Sequence, residues 1–107
     1  MFDLFGKMGE MKARMEEVKK SLATMEVEAE AGAGLVRVVM TGERKAKALH
    51  IDASLLSTTD QEALQDLIVA AFNLASAKAE EQAAATLKEK TAGLLPNIPG
   101  LDFGFGK

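Results

Sequence analysis

The first 25 residues carry an apolar residue at alternating spacings of four and three, and this pattern strongly constrains what the chain can form. The positions are Leu4, Met8, Met11, Met15, Val18, Leu22 and Met25. A mean spacing of about 3.5 residues keeps one apolar stripe facing a partner along a whole helix, as in a coiled coil. The sequence therefore predicts a long N-terminal helix, from about Asp3 to Met25, packed against another helix.

The charges of this predicted helix are sorted around its apolar stripe. When Leu4 is assigned to heptad position d, every basic residue lies at position e, f or g, and every acid lies at b or c. The basic residues are Lys7, Lys12, Arg14, Lys19 and Lys20, and the acids are Asp3, Glu10, Glu16 and Glu17. A chain of net charge −3 thus places positive charge beside the stripe of its first helix.

Two interpretations of these basic residues stand side by side. In the first, they form a solvated flank, or they pair with acids of the second helix, such as Glu80, Glu81 and Glu89. In the second, they contact the phosphates of a nucleic acid, with help from Lys78, Lys88 and Lys90. Phosphate contacts position a protein without reading bases, and the resulting affinity falls steeply with salt.

After the first helix the apolar period changes from about 3.5 residues to 2, which indicates strands. Segments 26–31, 35–41 and 45–52 are separated by glycine-containing turns, so they predict a three-stranded antiparallel meander. Thr59 and Glu62 fit a capping box at the start of a second long helix, which ends near Thr91 with Gly93 as its stop. The predicted class is α+β, with one domain over residues 1–92 and a Gly/Pro-rich C-terminal segment over residues 93–107.

The predicted helices are too long for a compact body of this size. They span roughly 35 and 48 Å, whereas a compact domain of 107 residues has a radius of gyration near ~13 Å. The far half of the second helix must therefore project, with Ala79, Ala83 and Leu87 along the first helix. Two helices also cover only one face of the sheet. We expect a second copy to cover the other face at Leu35, Val39 and Ala48, which makes a homodimer.

The amino-acid composition and the lengths of the apolar stretches exclude several classes of function. The chain has no cysteine, so it holds no disulfide, thiolate metal site or cysteine nucleophile. No secretory signal is visible, and the longest apolar stretch, residues 67–77, is too short to cross a bilayer. We therefore expect a soluble, cytoplasmic protein without a membrane partner.

No catalytic motif is evident either. His50 is the only histidine, and Asp52 lies on the same side of its strand, so an ion pair or hydrogen bond between them is expected. We expect no enzyme activity, cofactor, metal or small-molecule substrate.

The stretch VEAEAGAGLVRVVMTGERKAKALHID, residues 27–52, resembles the YbaB/EbfC family of nucleoid-associated proteins. So do SLL at 54–56 and DLIVAAFNLASAKAEE at 66–81, together with the Met-rich first helix and the Pro/Gly-rich end. The resemblance implies a tweezers-like homodimer with protruding helices, located at the nucleoid. It also implies binding of double-stranded DNA with little sequence preference, and a part in chromosome organisation and gene expression. By position, the implied DNA-binding residues are the basic residues of the first helix and Lys78, Lys88 and Lys90.

One other class of function stays open from the residues themselves. A heptad helix also docks against other helical proteins, so the alternative is a helical protein-interaction module that binds no DNA.

Overall fold

The computed structural model describes residues 4–56 and 60–92. In chain order the elements are α1 (Leu4–Thr24), β1 (Glu26–Ala31), β2 (Val36–Thr41), β3 (Ala46–Ile51), α2 (Ala53–Leu56) and α3 (Gln61–Lys90). The predicted α+β layout is confirmed. The predictions for Asp3, Gly93 and segment 93–107 lie outside the described residues and stay predictions.

The three strands form one antiparallel sheet in the order β1-β2-β3, as predicted. The turn between β1 and β2 takes left-handed backbone angles at Gly32, Ala33 and Gly34, with φ of 68°, 57° and 90°. This turn includes Leu35, so β2 begins at Val36, one residue later than expected.

One face of the sheet forms the core with α3. Along β2, Val36, Val38 and Met40 are buried, while the residues between them are only partly buried. Ala71, Ala75 and Ala79 of α3 are completely buried against this face. Because an alanine side chain is a single methyl group, the helix axis can approach the strands closely.

Helix α3 packs against β1 and β2, and the core face of β3 is left open. Leu49 is paired across the sheet with the buried Val38, so it lies on the core face, yet it is 50% exposed. Phe72 of α3 is also exposed, at 43%.

Ion pairs join the strands on the outer face of the sheet. Arg37 pairs with Glu28, and Lys47 pairs with Glu26. In a regular strand, Lys47 and Leu49 would lie on the same face because they are two residues apart. A register shift between Val39 and Met40 breaks that alternation, so Lys47 reaches the outer face instead.

The connection from β3 to α3 differs from prediction in two places. Asp52 accepts hydrogen bonds from the amide and hydroxyl of Ser54 and begins the short helix α2, so the expected pairing with His50 is wrong. Helix α3 is capped by Asp60, whose side chain accepts from the Ala63 amide at 3.1 Å. This cap lies one residue after the predicted Thr59, which is outside the described residues.

The chain is elongated, as the helix lengths predicted. Its radius of gyration is 19.0 Å and its extents are 71 × 27 × 16 Å. Helix α1 packs along the far half of α3, and we call this helix pair the arm. The C-terminal end of α1 is fixed to the sheet because the Gly42 amide donates to the Leu22 carbonyl at 2.9 Å. An ion pair of 3.6 Å between Arg44 and Glu80 joins the same turn to α3.

Candidate nucleic-acid interface

The five basic residues of α1 all lie on the surface of the arm. Lys7, Lys12, Arg14, Lys19 and Lys20 are each exposed. Within the described part of the chain, only Arg14 forms an ion pair, at 3.5 Å to Glu17 of the same helix. The four lysines therefore present charges that no acid in residues 4–56 and 60–92 contacts closely.

The acids of α3 do not neutralise α1. Glu80 pairs with Arg44 at the base of the arm, and no ion pair joins α1 to α3 among the residues that the structure describes. Pairing of the α1 lysines with Glu80, Glu81 or Glu89 is therefore wrong, whereas the exposed lysines fit both a solvated flank and a phosphate-contacting surface. The helix itself carries five basic and three acidic side chains, so it is cationic within an acidic protein.

Lys78 is placed differently from the basic residues of α1. Its ammonium group donates to the backbone carbonyl of Glu28 at 2.8 Å. It also lies in an open groove lined by the acids Glu26, Glu28 and Glu81. The surroundings of Lys78 are therefore anionic, which is unfavourable for a contact with phosphate.

Lys88 and Lys90 lie in the last turn of α3. Lys90 is partly buried, whereas Lys88 is exposed. They are two positions apart, with Glu89 between them, so they point to different sides of the helix. The positive charges of both lysines also interact favourably with the negative C-terminal end of the α3 dipole. This stabilising role does not involve DNA.

The basic residues that lie close together in the sequence after β2 each have an acidic side chain nearby. Arg44 pairs with Glu80, Lys45 lies 3.7 Å from Glu43, and Lys47 pairs with Glu26. Lys88 and Lys90 of α3 also form no ion pair among the described residues, but α1 carries four such lysines, more than any other described element.

Exposed apolar surface is the feature that sequence reasoning missed. The two sites are the distal part of α1 and the surface around Leu49 and Phe72. Exposure along α1 rises from 4% at Val18 to 59% at Met8 and 85% at Phe5. The heptad pattern alone gives no sign of this, because it marks which residues face a partner but not where the partner helix ends.

The described residues contain no group of three His, Asp or Glu side chains placed to hold a metal ion. None of the described helices combines the length and the apolarity needed to span a bilayer.

Comparison with known proteins gives a consistent result. Residues 1–94 match the model of the YbaB/EbfC DNA-binding family. Nucleoid-associated protein Atu0095 of Agrobacterium fabrum is 43% identical over 108 residues, covering 98% of this chain and 100% of that protein. Nucleoid-associated protein PsycPRwf_1729 of a Psychrobacter species is 47% identical over 98 residues, covering 91% of this chain and 86% of that protein.

A solved structure shares the fold. The crystal structure of the uncharacterized protein HP0035 from Helicobacter pylori superposes with a TM-score of 0.60 at 28% identity. The match covers 70% of this chain and 87% of that one.

Proposed function

The chain belongs to the YbaB/EbfC DNA-binding family and is a DNA-binding protein of the nucleoid, within the cytoplasm, and we propose that it holds duplex DNA on the basic residues of α1. The observation that carries this proposal is the set of exposed α1 lysines that no described acid contacts. The proposed activity is binding alone, without a catalytic step.

The side chains on α1 favour contacts with the DNA backbone. Lysine is a point charge on a flexible stem, which suits single phosphate contacts better than the paired hydrogen bonds that read a base edge. Phosphate contacts fix position and contribute affinity without sequence information. We therefore expect little preference for sequence.

We also propose that the protein acts as a homodimer, so that two arms hold one duplex. Leu35, Val39 and Ala48, the surface first expected at the interface, are already partly buried and lie on the face that carries the ion pairs of Arg37 and Lys47. The more exposed apolar side chains lie elsewhere, at Leu49 of β3 and at Val69 and Phe72 of α3. A second copy covering this surface would bury apolar area that a single chain leaves in water.

A titration of DNA binding against salt tests the proposed function. The dissociation constant for a duplex should rise by orders of magnitude between low and physiological salt, and it should vary little between unrelated sequences. The quadruple variant K7A/K12A/R14A/K19A should lose binding while circular dichroism and solution mass stay unchanged.

Two results would contradict the proposal. Affinity that does not change with salt would exclude phosphate contacts as its source. Retained binding by the folded quadruple variant would move the site away from α1. If the wild-type protein retains one stoichiometric protein partner and no DNA, the alternative of a protein-interaction module replaces this function.

A further inference from the structure

The two sides of the apolar stripe on α1 differ in their charges and in how far the neighbouring stripe residues are buried. On one side, beside heptad position a, lie Lys12 and Lys19. On the other side, beside position d, lie Lys7 and Arg14. We call the first the open side and the second the paired side.

On the paired side, acids of the same helix lie within one turn of both bases, and among the described residues Arg14 forms an ion pair with one of them. Glu10 lies three residues after Lys7 and four before Arg14, and Glu17 lies three after Arg14, so two acids alternate with two bases. The Arg14 guanidinium contacts the Glu17 carboxylate at 3.5 Å. The stripe residues next to this side are covered, since Val18 is buried and Met11 is partly buried.

The open side has the opposite character. Its neighbouring stripe residues, Met8 and Met15, are 59% and 37% exposed, so α3 leaves this side of the arm accessible. Met8, Lys12, Met15 and Lys19 fall within about 60° of the helix circumference at 100° per residue. The one acid within a turn of both lysines is Glu16, which forms no ion pair with either in the described structure.

We propose that the open side, through Lys12 and Lys19, is the DNA-contacting surface of α1, and that the paired side is not. This assignment rests on the proposed function and names the residues that carry it. The two lysines lie about 10 Å apart along one line of the helix, so both can contact the same duplex backbone. Contact at Lys7 or Arg14 would instead bring phosphates against Glu10 and Glu17.

Two double variants of the full chain test the assignment, because each removes two positive charges from the same helix. K12A/K19A should lower duplex affinity at least tenfold at low salt and reduce the salt slope by about two units per protomer. K7A/R14A, the matched comparison, removes the same charge from the paired side and should reduce both the affinity and the salt slope by less than K12A/K19A does. K12R/K19R, which preserves the charge, should bind like wild type and shows that the positions tolerate substitution.

Acetylation of the wild-type protein supplies a second measurement that needs no variant. Lys12, Lys19 and Lys7 should all react in the free protein, and saturating duplex DNA should protect Lys12 and Lys19 while Lys7 stays reactive. Mass spectrometry of the modified peptides reads out each position.

The outcomes separate this assignment from the function on which it rests. Equal losses in K12A/K19A and K7A/R14A, a larger loss in K7A/R14A, or unprotected Lys12 and Lys19 would overturn the assignment while DNA binding stands. A wild-type protein that binds no duplex at low salt would overturn the proposed function, and the assignment with it.

Discussion

The ammonium group of Lys78 donates to the backbone carbonyl of Glu28, 2.8 Å away, and so joins α3 to the edge strand β1. The two residues are fifty positions apart in the chain. The hydrogen bond engages the ammonium group of a lysine that the family resemblance implies for DNA binding. It also links α3 to the sheet close to the point where α3 extends beyond the sheet into the arm.

Replacing Lys78 with methionine should therefore affect stability more than DNA binding. K78M keeps most of the aliphatic stem but removes the hydrogen bond, so the free energy of unfolding should fall by about 1 kcal/mol in a denaturant titration. The salt slope of DNA binding should stay the same because no phosphate contact is lost. A K78M variant as stable as the wild-type protein would show that the bond to Glu28 contributes nothing.

Neighbouring residues of β3 distinguish the two possible dimer surfaces. Leu49 lies on the core face beside the open surface of α3, whereas Ala48 lies on the outer face opposite Val39. L49E places a charge in the proposed interface, so the solution mass should shift from dimer to monomer at micromolar concentration. A48E should remain a dimer. The reverse result would place the interface on the outer face.

Two glycines should respond oppositely to the same substitution. A Cβ at Gly42 would lie 2.9 Å from the Leu22 carbonyl oxygen and 3.0 Å from the Leu22 Cα, and backbone atoms cannot easily move aside. G42A should therefore destabilise the fold by about 1–3 kcal/mol, as overpacking does. A Cβ at Gly9, inside α1, meets nothing within 4 Å, so G9A should stabilise it by about 0.5–1 kcal/mol. Thermal unfolding of both variants checks the pair, and a stable G42A would mean that the end of α1 is free to shift.

The carboxyl group of Asp52 should titrate below its ordinary value. The Ser54 hydroxyl, and then the Ser54 amide, donate hydrogen bonds to the ionised form and lower the pKa of Asp52 from 3.8. Because folding lowers this pKa, the carboxylate stabilises the fold above pH 3.8, and this contribution is lost as the pH falls through the folded-state pKa. In S54A the main donor is gone, so NMR titration should show the pKa of Asp52 rising towards 3.8. An unchanged pKa in S54A would assign the shift to another group.

Local patterns in the sequence predicted most of the fold. The heptad of α1 and the period of two in the strands each reflect contacts between near neighbours along the chain, so the element bounds agree to within a residue or two. The cap of α3 was misplaced because Thr59 and Asp60 are both good capping residues and stand next to each other. The helix α2 was missed because a four-residue helix is too short for an apolar period.

What the sequence could not give depends on residues far apart in the chain. Whether a lysine is available for DNA depends on which acid or carbonyl lies next to it in the fold. Lys78 and Glu28 meet only because α3 crosses β1, and Arg44 meets Glu80 only because a turn lies against the arm. The exposure of Leu49 likewise follows from where α3 crosses the sheet, which no local pattern records.

The three alanines beneath α3 have a consequence for the reach of the arm. The helix continues without a break from Ala79, which is buried against the sheet, to Lys90. A single methyl group added at Ala79 would tilt α3 slightly relative to the sheet and displace Lys90 by a larger distance than it displaces Ala79. In the proposed dimer, a substitution at this small neutral side chain would therefore change the distance between the two arms while every lysine stays in place.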